Sequence, residues 1–307
     1  MSNKYTQIYK CYKKIYFVML MVKITYNFVP NKVQSKLINI IRYKIFQSYR
    51  EHYSFCFHTQ IYTCTDIITK IFYVLYIGKN WRSLGDGWNN VYKHFIRLNS
   101  LNVFASTYLQ LLQKYFTKHK NTLKIISIDT SFIYNKNGVD NLARNSYAKN
   151  KNCNKLFSIV DSNKKPIYFS LHKGSIHDSK IMTINYDKIS NNLTDKNKYA
   201  LADSAFDSNK IRNFFNEKNI IPLIPKNMRN TKKNFKMKDL TWEEKLEIYL
   251  KDFTDDERKI YRKRMTVENF YANVKQIHRF NGRYDKQINN LKGFFNIYFS
   301  GLLVDAA

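Results

Sequence analysis

Leu123-Lys124-Ile125-Ile126-Ser127-Ile128-Asp129 is where the chain changes character. It is short, rich in β-branched residues and closed by a carboxylate, which reads as a buried strand. Alternation along such a strand places Ile126, Ile128 and Thr130 on one face and Ile125, Ser127, Asp129 and Ser131 on the other. Downstream, Lys155–Val160 and Pro166–Leu171 read as two further strands joined by the turn residues Asp161-Ser162-Asn163. Ser175-Ile176-His177-Asp178 resembles a capping box and predicts one helix through Ile181, Ile184 and Ile189. A fourth strand follows at Lys198–Asp203, then a helix capped by Asp207-Ser208 and carrying Ile211, Phe214 and Phe215. The fifth strand is Ile220–Ile224. A polar, lysine-rich stretch over 226–239 then precedes a long helical region from about Thr241 to His278.

The order strand, strand, strand, helix, strand, helix, strand, helix predicts an α/β fold, a mixed sheet flanked by helices as in the ribonuclease H architecture. Upstream of Leu123 the signal is helical. In Val91-Tyr92-Lys93-His94-Phe95-Ile96-Arg97-Leu98 apolar residues recur at helical spacing after the Asp86-Gly87 turn, and a second helix runs through Tyr108, Leu111, Leu112 and Tyr115. The expected organisation is an all-helical N-terminal module over 1–121 and a ribonuclease H-like domain over 122–307.

Composition narrows the function. The 307 residues carry 52 Lys and Arg against 23 Asp and Glu, a formal net charge of +29. Part of the lysine follows from an AT-rich codon usage, visible in the crowding of Lys, Asn, Ile, Tyr and Phe. That bias does not suppress Asp and Glu, so the field is real and points to a polyanion, with nucleic acid ahead of a membrane surface or an acidic protein. Four Cys exclude a disulfide scaffold, and eight Gly with four Pro exclude collagen-like architectures. The apolar runs Ile15–Val22 and Ile67–Ile77 are shorter than the ~20 residues a bilayer crossing needs, and no small-residue cleavage site follows the first. An intracellular protein working with DNA, outside any membrane, is expected.

Two carboxylates end strands that this fold sets side by side: Asp129, and Asp203 in Tyr199-Ala200-Leu201-Ala202-Asp203. A carboxylate there is costly to bury alone, so it caps a helix, pairs with a cation or binds a metal. The segment from Tyr261 to Lys275 adds the rest. At ~100° per residue, Tyr261, Arg264, Glu268 and Lys275 fall within a ~60° arc of a helical wheel. They form a polar stripe flanked by Val267, Phe270, Tyr271 and Val274. A solvated stripe with an Arg264–Glu268 pair accounts for this equally well, at ~0.3–0.5 kcal/mol. The packing residues beside it suit a helix that lines a site.

With these residues in hand the chain resembles an insertion-sequence DDE transposase, of the IS-five-like group and its relatives that carry the YREK signature. That signature, Y-x2-R-x3-E-x6-K, is matched by Tyr261, Arg264, Glu268 and Lys275 in every position and gap. The first-Asp motif is similar to Asp129-Thr130-Ser131 and the second to Asp203-Ser204-Ala205-Phe206-Asp207-Ser208, with Ala205-Phe206 where the family has Gly-Tyr. The intervening Gly-x-x-His-Asp-Ser resembles Gly174-Ser175-Ile176-His177-Asp178-Ser179, and Trp81-Arg82, Trp88 and Val91–Phe95 resemble the group's helical region. The resemblance implies that Asp129, Asp203 and Glu268 hold two Mg²⁺ ions, with Mn²⁺ able to substitute, and carry out cleavage at element ends and strand transfer. It also implies that Tyr261, Arg264 and Lys275 contact DNA near the scissile phosphate. The partners implied are double-stranded DNA, as terminal repeats and target, and a second copy of the chain in a homodimer on DNA.

Alternative readings stay open at this level. A catalytically silent, domesticated DNA-binding protein would keep the basic field, a ribonuclease H-type nuclease or resolvase would share the metal site, and a basic RNA-binding protein is a weaker fit. His52, Cys56, His58 and Cys64 suggest zinc by composition but lack a CxxC pair, and Tyr53, Phe55 and Phe57 alternate as a packing face does. Cys153 reads as structural. Ser175 and Asp178 read as caps, with a site-lining role for His177 and Asp178 as the alternative.

Overall fold

The computed structural model describes residues 28–52, 63–119, 123–227, 241, 244, 247, 248 and 250–307. The run Ile15–Val22, the pair Cys56 and His58, and nearly all of the lysine-rich stretch 226–239 lie outside the described residues, as does the His52 side chain. Asn31–Ala307 forms one compact unit.

Among the described residues four α-helices precede the sheet: α1 (Lys32–His52), α2 (Cys64–Ile77), α3 (Trp88–Ser100) and α4 (Val103–Lys118). Their starts follow local chemistry. The Asn31 and Gln34 side chains accept each other's backbone N–H groups at 2.8 and 2.9 Å before α1, and Thr63 and Asp66 do the same as a capping box before α2. Gly87 enters α3 at φ +80°, a conformation open to glycine, as the Asp86-Gly87 turn predicts. Ile67–Ile77, too short to cross a membrane, lies in α2 and buries Ile67, Ile68, Ile71, Phe72, Val74 and Leu75, and no described helix is long and apolar enough to span a bilayer.

The sheet has six strands: β1 (Ile125–Tyr134), β2 (Ala143–Asn145), β3 (Lys151–Asp161), β4 (Pro166–Lys173), β5 (Tyr199–Leu201) and β6 (Ile221–Leu223). β1, β3 and β4 form an antiparallel meander, β2 extends the other edge of β3 beyond β4, and β5 and β6 add parallel to β1. An antiparallel meander with two parallel strands on the far side of β1 is the ribonuclease H order, so the expected fold class is the observed one. β1 and β3 run longer than their apolar cores suggest, because polar residues at their ends still complete the ladder, from Ile126↔Asp161 to Tyr134↔Cys153.

Helices cover both faces. α5 (Asp178–Ile184), α6 (Tyr186–Ser190) and α7 (Asn209–Asn216) pack Ile181, Met182, Ile189, Ile211 and Phe215 against Ile126, Ile128, Phe157 and Ile159. The single helix expected from Ile181 to Ile189 is two, because Asn185 turns its side chain inward, accepting from the Tyr168 hydroxyl at 2.7 Å and donating to Ile181 O at 2.7 Å. The opposite face takes α9 (Met265–Gln276) and α10 (Ile288–Val304), preceded by α8 (Asp255–Tyr261). α10 is the axis of the aromatic core. Phe294 stacks on Phe95 of α3 with ring centroids 4.5 Å apart, Phe295 on Phe280 at 4.1 Å, and Phe299 meets Phe169 of β4 edge-on at 4.8 Å. Gly293 lets α3 come close, since a Cβ there would lie 2.7 Å from Asn99 Oδ1.

Candidate active site

The parallel pairing of β1 with β5 runs from Ile125↔Tyr199 to Ser127↔Leu201 and stops. Asp129 and Asp203 each stand two positions past that last rung, where the two chains part. The parity read from the sequence holds: Ile126 and Ile128 enter the core beneath α5–α7, while Asp129 shares its side of the sheet with α9, whose Tyr271 hydroxyl donates to Asp129 O at 2.7 Å and Leu156 O at 3.1 Å. Asp203 caps a 3-10 turn, Ser204–Phe206, with Oδ1 accepting from Ala205 N at 2.9 Å. Ala205 has no positive φ, so alanine sits in this turn without strain, and Phe206 is buried beside Phe157.

The Tyr261–Lys275 segment is not one helix, and neither is the wider region from Thr241. α8 ends at Tyr261, a 3-10 turn occupies Arg262–Arg264, and α9 starts at Met265. The tighter turn still leaves Arg264 one helical turn before Glu268. Arg264 Nη2 pairs with Glu268 Oε1, and its Nη1 lies 3.6 Å from Asp129 Oδ2. Tyr261 is buried against Leu201 and Leu223, and its hydroxyl donates to Ala202 O at 3.2 Å, one residue before Asp203. That hydroxyl is therefore engaged inside the protein. Lys275 is exposed, yet near enough for the Asp129 charge to act on it.

Sequence reasoning missed a second layer. Asp178, expected to cap a helix, accepts from Lys155 Nζ at 2.7 Å and from the Thr130 hydroxyl at 3.0 Å. The cap of α5 is His177, whose Nδ1 accepts from Ser179 N at 3.3 Å, and Ser175 plays no such part. Lys155 is buried, and its ammonium also reaches Ile176 O at 2.9 Å. The available signal was weak, a lysine at the head of the apolar run Leu156–Val160. Asp207, expected to cap α7, pairs with Arg212 at 2.7 Å and accepts from Asn227 N at 2.8 Å.

The electrostatics follow from these positions. Burial pushes the Asp129 carboxyl up to about 7, Asp203 adds to the rise, and Arg264 and the Thr130 N–H oppose it. Burial also raises Asp203, against the Ala205 N–H and Arg264. Burial alone would lower the Arg264 pKa, but Tyr261, Asp129, Glu268 and Asp203 together raise it. Among the described residues no three His, Cys, Asp or Glu side chains converge closely enough to hold a metal in this arrangement, and Glu268 pairs with Arg264. The carboxylate oxygens of Asp129, Asp203 and Glu268 are the donors a hard divalent cation takes, while the Arg264 guanidinium, itself a cation, opposes one where it lies. Burial raises the Cys64 thiol to about 11, with Arg42 opposing.

Solved structures similar to the chain include the crystal structure of the catalytic domain of Mos1 mariner transposase, at 14% identity over 59% of this chain and 94% of that one, with a TM-score of 0.27. Another is a pre-cleavage Mos1 transpososome, at 12% identity over 84% of this chain and 100% of that one, with a TM-score of 0.28. No curated protein matches the chain. The family model described as the transposase DDE domain matches residues 120–300, more than half of the sequence. The chain belongs to the DDE transposase family.

Proposed function

We propose that this protein is a DNA transposase that cleaves element ends and transfers the freed strand into target DNA, with Asp129, Asp203 and Glu268 as its acidic triad. The observation that carries the reading is the opening past Ser127↔Leu201: Asp129 lies there within reach of Arg264, which also holds Glu268, and Asp203 stands at the matching position of the neighbouring strand. The three carboxylates would hold two divalent ions, Mg²⁺ with Mn²⁺ as substitute, supplying an activated oxygen nucleophile and charge stabilisation at the leaving oxygen. The chain's own residues then divide the work. Ala205 N–H fixes the Asp203 carboxylate, and Tyr261 steadies the strand end through Ala202. Arg264 offers a planar fork and Lys275 a mobile point charge to phosphates near the scissile bond. Residues 1–121 would add DNA-binding surface to a domain spanning 122–307. The active species would be a homodimer on paired ends, working wherever its DNA resides.

The test is incubation of purified protein with duplex DNA from both flanks of its own gene, in Mg²⁺ and then in EDTA. Cleavage at defined ends that needs metal is expected, with Asp129→Asn, Asp203→Asn and Glu268→Gln each slowing it at least ~100-fold, or ~2.7 kcal/mol of barrier. Salt-sensitive binding without cleavage would favour the domesticated DNA-binding reading, and cutting without joining would favour a nuclease.

A further inference from the structure

The acidic residues of the site do not face an empty space; a cation of the chain's own touches two of them. Arg264 pairs with Glu268 through one guanidinium nitrogen and approaches Asp129 to 3.6 Å through another, while the charge of Asp203 also acts on it. Its side chain is about one-fifth exposed and that of Asp129 slightly less, so water screens this contact weakly. Among the described residues no three acidic groups converge closely enough to hold a metal ion. The contact is set by the backbone. The 3-10 turn over Arg262–Arg264 leads directly into α9, so Arg264 and Glu268 are stacked one turn apart on a helix pinned to β1 by Tyr271.

We propose that Arg264 is the resident counter-cation of this site, a built-in plug that must leave both Asp129 and Glu268 before a divalent ion can be held by the acidic triad. The inference rests on the metal-dependent transposase reading above and adds to it a resting state in which the site is neutralised from within. Divalent ions then compete with a covalently attached rival, and the metal-free chain holds its carboxylates together without them. A guanidinium suits the role because its fork reaches two carboxylates at once. A lysine at the same position would keep the charge but touch only one of them.

The experiment measures Mn²⁺ binding to the full chain without DNA, by the electron paramagnetic resonance signal of free Mn²⁺ and by the rise in Tm that Mn²⁺ produces. Wild type is compared with Arg264→Gln and Arg264→Lys, and Asp203→Asn serves as the site control. Both Arg264 variants are expected to bind Mn²⁺ at least about tenfold more tightly than wild type, since the ion no longer has to break two charge-assisted contacts. Their Tm should rise more with Mn²⁺ for the same reason. Arg264→Lys separates a plug from a general charge effect, because the formal charge is unchanged. If it binds Mn²⁺ no more tightly than wild type, the proposal is overturned. If Mn²⁺ binding is lost in Asp203→Asn but equal in wild type and both Arg264 variants, the plug is wrong and the metal reading stands. If Asp203→Asn binds as well as wild type, or nothing binds, the metal reading fails and the plug with it.

Discussion

Asp129 sits where burial and a neighbouring carboxylate both oppose its charge, and this has a thermodynamic signature in the metal-free chain. A carboxyl held near 7 in the folded state and near its ordinary value in the unfolded chain binds more protons when folded between those limits. Its contribution to stability is therefore fully present below about pH 4 and lost as pH rises through about 7. Asp129→Asn should remove that loss. Without metal, the variant is expected to be more stable than wild type at pH 8 by ~2–4 kcal/mol, the gain shrinking toward pH 4, as followed by urea denaturation across pH. The same residue shows what a linear reading can see. The side on which Asp129 points follows from parity along β1, and its closeness to Asp203 follows from the strand order. The grip of Arg264 on it does not follow, because that depends on a 3-10 turn that a uniform helical wheel cannot represent.

At the scale of elements, the junction of β1, β3 and α5 deserves a measurement of its own. Lys155 and Asp178 come from different elements and fix α5 to β3, while the Thr130 hydroxyl ties Asp178 to β1, the strand that carries Asp129. Asp178→Asn is expected to destabilise the fold by ~1–3 kcal/mol, read from the urea midpoint, because it leaves a buried ammonium without its counter-charge. Cleavage should fall further than the stability loss explains, since Thr130 adjoins Asp129. Elements defined by their own composition were legible: the apolar strands, the α3 and α4 helices, and the Asp86-Gly87 turn. Those defined by distant partners were not. β2 is three residues that become a strand only against Lys151–Cys153, and the break at Asn185 exists because Tyr168 waits beneath it. Gly174 likewise has a reason invisible locally: a Cβ there would stand 2.3 Å from Cys153 Sγ, which also accounts for Cys153 as a packing residue.

For the whole molecule, the excess of 29 positive charges sets how it meets DNA. Binding should weaken steeply with salt, and Lys275→Gln is expected to reduce the slope of log K against log salt by ~0.9, the loss of one phosphate contact, in a fluorescence anisotropy titration. The aromatic seam along α10 has a consequence for how the protein comes into being. Tyr76 of α2, Trp81 of the 3-10 turn Trp81–Leu84 and Phe95 of α3 lie near Tyr298 and Phe294, yet these partners are synthesised far later. Between Lys118 and Ile288 lie 169 positions, and at ~5–20 residues per second the helices α1–α4 wait ~10–35 s for their cover. Ribosome-stalled chains ending before Ile288 should therefore be cut readily by protease within α2–α4, and chains extended past Val304 by a linker long enough to clear the exit tunnel should resist. Folding of this transposase is thus timed by α10, and a chain that stops before Ile288 would never close over the aromatic faces of α2 and α3.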